Sequence, residues 1–144
     1  MSLLSNVAWA ISNLCRGKPS PPKELIEPAV GPLAMLLQRE VTQEVKVDST
    51  WALSYLADGE NERINMILKA DPKIAHVLVS QLAEAELPLL TPLVRTLGNF
   101  VTGTDEQTQA VLDAGVLQYM PSLLEHANVS AIISSTLAMI VCRV

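Results

Sequence analysis

Aromatic residues and long hydrophobic runs are scarce in this 144-residue sequence. Aromatic residues make up only 3% of it, although hydrophobic residues make up 49%. This composition favours packed helices of Leu, Val, Ile and Ala over a β-sandwich, which needs β-branched and aromatic strands. A polar or charged residue interrupts every apolar stretch before the roughly 18 residues that a membrane-spanning helix requires. The length suits one domain with a sizeable core, so we predict a single soluble helical domain.

Positive charge and cysteine are also in short supply. Ten Lys and Arg residues stand against fifteen Asp and Glu residues, which gives a net charge of −5. Without a basic cluster we expect no binding to nucleic acid or to an anionic membrane, whereas an acidic surface suits a basic partner. Met1–Leu14 lacks a basic start and is interrupted by polar residues, so we expect no secretory signal there and a reducing compartment. We expect Cys15 and Cys142, at opposite ends of the chain, to be buried thiols and not a disulfide or a metal pair.

Residue sets that support catalysis or metal binding are missing. The segment Gly98–Gly103 has the glycine spacing of a phosphate-binding loop, but Thr104 and Asp105 stand where Lys and Ser or Thr are needed. The two histidines, His76 and His126, are far apart and have no neighbouring ligand set. We therefore predict no enzyme activity, no cofactor and no metal site.

The sequence repeats with a period of roughly 42 residues. The segment Ala8–Leu14 is similar to Thr50–Leu56, and further copies follow at Val94–Phe100 and, in a more divergent form, at Thr136–Val141. This period is typical of armadillo and HEAT stacks, in which each unit buries its apolar face only against its neighbours. We therefore predict an all-α fold, a right-handed superhelical solenoid of armadillo repeats with about three repeats plus a partial one.

Turn-forming residues separate the copies. Thr104 and Gln107 have the spacing of a capping box that starts a short helix, and Gly115 is a helix stop. Breakers and capping residues cluster in the same way after each long helix. The predicted loops are Gly17–Pro22, Asp58–Asn61 and Thr102–Asp105.

Each repeat is predicted to contain a short, a medium and a long helix. We expect the segment Lys23–Glu40 to divide near Pro28–Pro32, and Glu62–Leu82 to divide at Asp71–Pro72, because proline interrupts helices. The stretch His76–Val79 has some strand character, but helix-forming sequence flanks it.

The period also predicts repeat boundaries and the nature of the two ends. Neither end has the polar capping repeat that solenoids need for solubility. We expect either neighbouring repeats in a longer chain or self-association through these ends. The predicted units are the final helix of a first repeat at 1–16, a second repeat at 17–57, a third at 58–101 and a fourth at 102–144.

One row of side chains in the second long helix combines two acids with two aromatic rings. Positions i, i+4, i+7 and i+11 share one side of a helix. An indole offers a surface to a Lys or Arg side chain worth about 0.5 to 2 kcal/mol, and nearby carboxylates accept its charge. A single Trp in an apolar helix is usually core and helical acids usually face solvent, but the recurrence of this row favours a binding groove. The rows are Glu44, Asp48, Trp51 and Tyr55 in the second long helix, Asn6, Trp9, Asn13 and Arg16 in the first, and Pro88, Pro92, Arg95, Asn99 and Thr102 in the third.

Amide side chains recur in these rows one helical turn after a larger residue. Asn13 follows Trp9, and Asn99 follows Arg95. Amides suit the N–H and C=O groups of an extended peptide without selecting its side chains. The candidate peptide-binding residues are therefore Trp9, Asn13, Arg16, Glu44, Asp48, Trp51, Tyr55, Arg95 and Asn99.

Three segments resemble a known family. They are Trp9–Arg16 (WAISNLCR), Trp51–Gly59 (WALSYLADG) and Gly98–Gln109 (GNFVTGTDEQTQ). Together they are similar to the middle armadillo repeats of importin-alpha (karyopherin-alpha), the adaptor for nuclear import. The resemblance spans almost the whole chain.

The resemblance implies a concave, acidic groove that binds basic nuclear localisation signals, in a protein found in cytoplasm and nucleus. Trp9 and Asn13 match one Trp–Asn pair of the family's major site, with Arg16 on the same face. Asp48 matches an acidic position beside that pair, and Glu44 is assigned a similar part. The residues that match the stretch between the major and minor sites, which contacts the linker of bipartite signals, are Trp51, Tyr55, Arg95 and Asn99.

The sequence departs from the family pattern in two places. Leu137 and Val141 stand where the family carries the first minor-site Trp and its partner Asn, which predicts that this pocket is absent. Asp71–Pro72 replaces a glycine-containing turn. With one intact Trp–Asn pair, two functions stay open. One is an adaptor-like module that binds basic localisation signals, and the other is a divergent armadillo scaffold or fragment that assembles or oligomerises without carrying cargo.

Overall fold

A computed structural model describes residues 2–127 and 131–143 of the chain. Within these ranges it contains nine α-helices, two short 3₁₀ helices at Gln81–Ala83 and Val116–Tyr119, and no strand. The α-helices are α1 Leu3–Cys15, α2 Lys23–Gln38, α3 Gln43–Leu56, α4 Asn61–Ala70, α5 Ile74–Ser80, α6 Leu87–Val101, α7 Asp105–Asp113, α8 Met120–Ala127 and α9 Ala131–Arg143. No helix in these ranges is both long and apolar enough to cross a bilayer.

The long helices of successive copies lie side by side. Helix α1 packs against α3, α3 against α6, and α6 against α9. The other helices form a second layer, in which α2 packs on α3 and α4, and α5 packs on α6 and α7. Contacts therefore run between neighbouring units along the chain, as the sequence period predicts.

A continuous aliphatic core joins the two layers. Leu37 from α2, Leu53 from α3 and Leu97 from α6 are each no more than 1% exposed. Phe100, the one phenylalanine of the chain, is completely buried. Burial of a Leu or Phe side chain contributes about 1.5 to 3 kcal/mol, so this core is the main source of the fold's stability.

The predicted helix boundaries around the third loop are confirmed. The Thr104 hydroxyl oxygen accepts from the Gln107 backbone N–H at 3.3 Å, and the Thr104 backbone N–H donates to Gln107 Oε1 at 2.9 Å. These two bonds form a capping box, because each satisfies a backbone N–H that the helix leaves unpaired. Gly115 adopts a φ of 82°, the left-handed conformation that ends α7. The division at Asp71–Pro72 is also present, between α4 and α5.

The predicted division of the second unit near Pro28–Pro32 is wrong, because α2 runs unbroken from Lys23 to Gln38. Both prolines lie inside this helix on its exposed side. A proline inside a helix costs about 3 kcal/mol. The opposite side of α2 buries several aliphatic side chains at about 1.5 to 3 kcal/mol each, which outweighs that cost. The buried residues are Ile26, Val30, Leu33, Ala34 and Leu37.

The two cysteines have different surroundings, and one prediction about them is wrong. Cys15 is buried as expected, and this burial raises the pKa of its thiol to about 11, with Arg63 acting weakly in the opposite direction. Cys142 is exposed, since it lies on a side of α9 that no described element covers. His76 lies on the exposed face of α5, and the His126 side chain lies outside the described residues.

Candidate binding groove

The predicted site residues lie along one groove that crosses α1, α3 and α6. Three adjoining depressions form it. Each depression shares at least one residue with the next, so the groove is continuous. We call them the acidic end, the middle and the loop end. The acidic end has a volume of about 520 Å³, the middle about 410 Å³ and the loop end about 620 Å³.

The acidic end combines an exposed indole with three carboxylates. Trp9 is 57% exposed, which is unusual for a large aromatic residue and shows that its ring is not part of the core. Glu44 and Asp48 from α3 and Glu86 just before α6 line the same depression. Since α1 packs directly against α3, the acids of one helix stand beside the indole of the other.

The surroundings of Asp48 disfavour the charged form of its carboxyl group. It is half-buried, and loss of water raises the pKa of its carboxyl, with the negative charge of Glu44 as the second cause. Glu44 lies one helical turn earlier on α3, so the two charges repel each other. Neither carboxylate forms an ion pair with any described residue. A positively charged ligand group at the acidic end would therefore stabilise the ionised carboxylates.

The middle of the groove brings both tryptophans together with Asn13 and Arg16. Trp9, Trp51 and Tyr55 line this one depression. The Asn13 side chain is exposed, and its amide nitrogen donates to the backbone oxygen of Trp9 at 2.9 Å. That bond fixes the amide over the last turns of α1, where the group faces the groove.

The loop end is organised by Arg95. Trp51 and Tyr55 stack with their ring centroids 5.6 Å apart, and the Arg95 guanidinium carbon lies 5.9 Å and 5.2 Å from the two centroids respectively. Arg95 also donates to Ser54 Oγ at 2.7 Å and to Asp58 Oδ2 at 2.8 Å. A guanidinium over aromatic faces with a carboxylate partner is a favourable and well-oriented arrangement.

Asn99 lies one turn after Arg95 on α6 and also forms a hydrogen bond to Ser54. Its side-chain nitrogen donates to the backbone oxygen of Ser54 at 3.0 Å. The residue is half-buried between α3 and α6. Of the two predicted amides, Asn13 thus stands free of the neighbouring helix, whereas Asn99 bridges to it.

The structure brings eight of the nine predicted residues to the walls of the three depressions, and Asn99 adjoins the loop end through Ser54. The contributors that were not predicted include Glu86 and Asp58, which line the groove, and Ser54, which holds Arg95 and Asn99. Asp58 lies one turn after Tyr55, so helical spacing alone could have suggested it. Glu86 lies outside the helical row, and only the packing of α6 on α3 places it in the groove.

Among the described residues, no group of three or more His, Cys, Asp or Glu side chains is arranged to hold a metal ion.

No family model matches the sequence. Curated proteins do match it. Importin subunit alpha-1a of Oryza sativa subsp. japonica is 43% identical over 124 residues, and importin subunit alpha-3 of Arabidopsis thaliana is 41% identical over 126 residues. These matches cover 86% and 88% of this chain respectively.

The chain is homologous to part of importin subunit alpha. It spans 23% of the length of each of these two relatives. Solved structures share the fold of this chain. A designed armadillo repeat protein in complex with the peptide (KR)4 matches 97% of this chain with a TM-score of 0.83 at 28% identity, and this chain covers 57% of it. A second designed armadillo repeat protein has the same TM-score and coverage at 25% identity. The predicted armadillo-repeat solenoid is therefore confirmed.

Proposed function

We propose that this chain binds basic nuclear localisation signals, in extended form, in the groove across α1, α3 and α6. The observation that carries the proposal is the acidic end, where the exposed Trp9 ring stands beside Glu44, Asp48 and Glu86, carboxylates without a cationic partner among the described residues. A Lys or Arg side chain would lie on the indole and place its charge near the acids. The homology to importin subunit alpha and the fold shared with a designed protein bound to (KR)4 support this choice of ligand.

Each predicted residue has a part in this proposal. Trp9 takes the aliphatic stem of a basic side chain, and Glu44 and Asp48 take its charge. Asn13 offers its remaining amide groups to the peptide backbone, and Arg16 borders the same depression. The residues that continue the groove beyond this point are Trp51, Tyr55, Arg95 and Asn99. A protein with this activity would act in both cytoplasm and nucleus.

The test is a titration with a Lys-rich localisation peptide, followed by tryptophan fluorescence at low and moderate salt. Both tryptophans line the groove, so binding should change their emission. Added salt should weaken binding because ions screen the carboxylates. The control is a peptide of equal length with Gln in place of Lys. An unchanged emission in both salts, confirmed by calorimetry, would reject the proposal.

The two tryptophans should contribute unequally. We expect Trp9→Ala to weaken peptide binding about threefold to thirtyfold, since an accessible cation–π contact contributes about 0.5 to 2 kcal/mol. Trp51→Ala should weaken it less, because the Trp51 ring already contacts Arg95. Calorimetry on folded variants measures both. Equal losses would show that the site is assigned wrongly.

A second function, assembly without cargo transport, is favoured by a different surface. On α1, Leu3 and Leu14 are 82% and 71% exposed, and Val7 lies between them on the same side. The equivalent positions of α3 include Val45 and Leu56, which are buried. A second copy of the chain, or a neighbouring armadillo repeat of a longer chain, would cover such a stripe. Native mass measurement, together with the peptide titration, distinguishes the two functions. A dimer that does not bind basic peptides would favour the scaffold function.

A further inference from the structure

We propose that Ser20 is a phosphorylation site for a proline-directed protein kinase, and that Arg16 and Lys18 hold the phosphate at the loop end of the groove. The site itself goes beyond the proposed function. Its consequence for peptide binding rests on that function, because it concerns the charge of the same groove.

Ser20 lies in a short sequence that such kinases recognise. They require a proline directly after the phosphorylated residue, and many of them prefer a basic residue at the third position after it. In the segment Ser20–Lys23 (SPPK), Pro21 takes the first of these positions and Lys23 the third. Of the two places in the chain where a Ser or Thr precedes a proline, this is the one with a basic residue at the third position.

The structure presents Ser20 in an accessible, extended segment. Ser20 is exposed, and its hydroxyl forms no hydrogen bond with any described residue. The residues from Ser20 to Pro22 lie between α1 and α2 in neither a helix nor a strand, and Pro22 has an extended backbone with φ −54° and ψ 140°. A residue before a proline also favours the extended form. The segment can therefore enter the cleft of a kinase without the unfolding of a helix.

The other such position, Thr91, provides an internal comparison. It precedes Pro92 inside α6, it is half-buried, and its hydroxyl donates to the backbone oxygen of Leu87 at 3.0 Å. A kinase could reach Thr91 only after α6 had unwound. Ser20 is therefore accessible in the folded chain, whereas Thr91 is not.

Two contacts from α4 hold the segment beside the groove. Arg63 donates to the backbone oxygen of Pro21 at 2.8 Å, and Lys23 forms an ion pair with Glu62. Neither contact uses the Ser20 side chain. An ion pair that is accessible to solvent contributes little to stability, so an acidic group of the kinase can replace Glu62 as the partner of Lys23.

Cationic side chains share the loop end with Ser20. Arg16, Lys18 and Arg95 line this depression against one carboxylate, that of Asp58. Arg95 pairs with Asp58 at 2.8 Å, whereas Arg16 and Lys18 are exposed and form no ion pair with any described residue. Guanidinium and ammonium groups bind phosphate through charge-assisted hydrogen bonds. Arg16 and Lys18 are therefore the partners available to a phosphate on Ser20.

The modification is the transfer of a phosphoryl group from ATP. Ser20 Oγ attacks the γ-phosphorus, so that a new O–P bond forms while the bond between the γ-phosphorus and the bridging oxygen breaks. The hydroxyl proton passes to the catalytic carboxylate of the kinase, and ADP leaves. The resulting phosphoserine carries a charge of about −1.5 to −2 at neutral pH.

Phosphorylation would change the charge of the loop end. Three cationic side chains and one carboxylate line it, and the phosphate nearly cancels this excess of positive charge. A basic peptide that extends from the acidic end would then meet less repulsion. We expect phosphorylation to tighten the binding of a (KR)4 peptide about twofold to fivefold at low salt.

The first experiment incubates the folded chain with ATP and a cyclin-dependent kinase and locates the phosphate by mass spectrometry. We expect phosphate on Ser20 and none on Thr91. Lys23→Ala should slow the reaction at least threefold, whereas Glu62→Ala, which breaks the same ion pair and leaves the recognised sequence intact, should not. A peptide of residues 15–26 controls for kinase activity. Phosphate on this peptide but not on the folded chain, or equal slowing by the two variants, overturns the proposed site.

Phosphorus NMR of the product tests the two cationic partners. We expect the second pKa of the phosphate to be lower in the folded chain than in the phosphorylated peptide, since Arg16 and Lys18 favour the dianion. Arg16→Ala combined with Lys18→Ala should remove the difference. Arg39→Ala combined with Lys73→Ala, two exposed positions near the opposite end of α2, controls for the loss of two positive charges. Equal pKa values in the chain and the peptide overturn the assignment of Arg16 and Lys18.

Binding of (KR)4, measured by calorimetry, separates this inference from the proposed function. A gain in affinity on phosphorylation that is absent from kinase-treated Ser20→Ala supports the charge effect, and an unchanged or lower affinity overturns it. If neither form of the chain binds (KR)4, the proposed function is rejected. Phosphate on Ser20 with a lowered pKa would still establish the modification site in that case.

Discussion

Asp48 lies half-buried in the groove, one helical turn after Glu44, with no cationic partner among the described residues. Burial first and Glu44 second raise the pKa of its carboxyl. A carboxyl whose pKa is higher in the folded than in the unfolded state lowers stability while it is ionised. This cost is present above the raised pKa and disappears as the pH falls through it. A residue suited to a cationic ligand thus lowers the stability of the free protein.

Asp48→Asn should therefore separate stability from binding. We expect a higher urea midpoint at neutral pH, because the ionised carboxylate is gone, and about twofold to fivefold weaker binding of a Lys-rich peptide. The stability difference from wild type should shrink as the pH falls through the raised pKa. Chemical denaturation across pH and calorimetry measure the two effects. Glu27→Gln, on the exposed side of α2, is the charge-matched control, and an equal result for both variants would contradict the explanation.

Two buried serines on α3 allow the free-energy cost of a hydroxyl without a hydrogen-bond partner to be measured, because one has a partner and the other has none. Ser49 Oγ is buried and has no hydrogen-bond partner among the described residues, whereas Ser54 Oγ accepts from Arg95. Both residues are completely buried. A buried hydroxyl that loses water without gaining a partner destabilises the fold.

Ser49→Ala should accordingly raise the free energy of unfolding by up to about 1 kcal/mol, and Ser54→Ala should lower it by about 1 kcal/mol. Urea denaturation of the two variants provides the comparison. If both variants lose stability equally, Ser49 must have a role in packing that its missing hydrogen bond does not indicate.

At the scale of elements, local sequence determines where a helix begins or ends only where nearby residues form the capping hydrogen bonds. The start of α7 is such a place, since Thr104 and Gln107 bond each other's backbone three residues apart. Gln107 also donates to Asn61 and Asn65, so the capping box joins α7 to α4. In α2 the local signal of Pro28 and Pro32 was misleading, because burial of the opposite side exceeds the cost of two prolines.

Thr104→Ala removes the hydroxyl acceptor of the capping box. We expect a loss of about 1 kcal/mol in the free energy of unfolding. Thr102→Ala is the control, because the Thr102 hydroxyl is exposed and donates only to the Asn99 backbone oxygen at 2.8 Å. Thermal and urea unfolding measure both variants. An equally small effect, below about 0.5 kcal/mol, would mean that the cap contributes nothing beyond an ordinary surface residue.

At the scale of the whole molecule, the stack depends on small residues where long helices meet. A Cβ on Gly98 of α6 would lie 2.4 Å from Thr136 Cγ2 of α9. The position is buried, so neither helix has room to absorb the extra atom without moving. The equivalent residue of α3 is Ser54, whose hydroxyl oxygen accepts a hydrogen bond from Arg95 of α6 at 2.7 Å.

Gly98→Ala should therefore loosen the contact between α6 and α9 and lower the free energy of unfolding by about 1 to 3 kcal/mol. Thr136→Ala in the same chain should recover part of that loss, because it removes the atom that clashes. A double-mutant cycle by urea denaturation measures the coupling. Strictly additive effects would show that the two positions do not oppose each other.

The sequence alone determined what depends on local spacing: the period, the loops, the capping box and the row of side chains along each long helix. The importin-alpha resemblance also rested on short consecutive segments, and the homology found over most of the chain confirms it. These properties are readable because each arises from residues within a few turns of one another.

Tertiary structure alone decided two other properties: the unbroken α2 and the placement of Arg95 against the Trp51 and Tyr55 rings. Both depend on contacts between different helices. The free energy of burial and of pairing between helices is set by how neighbouring helices pack. A pattern confined to a single helix holds no information about the side chain that the next helix places against it.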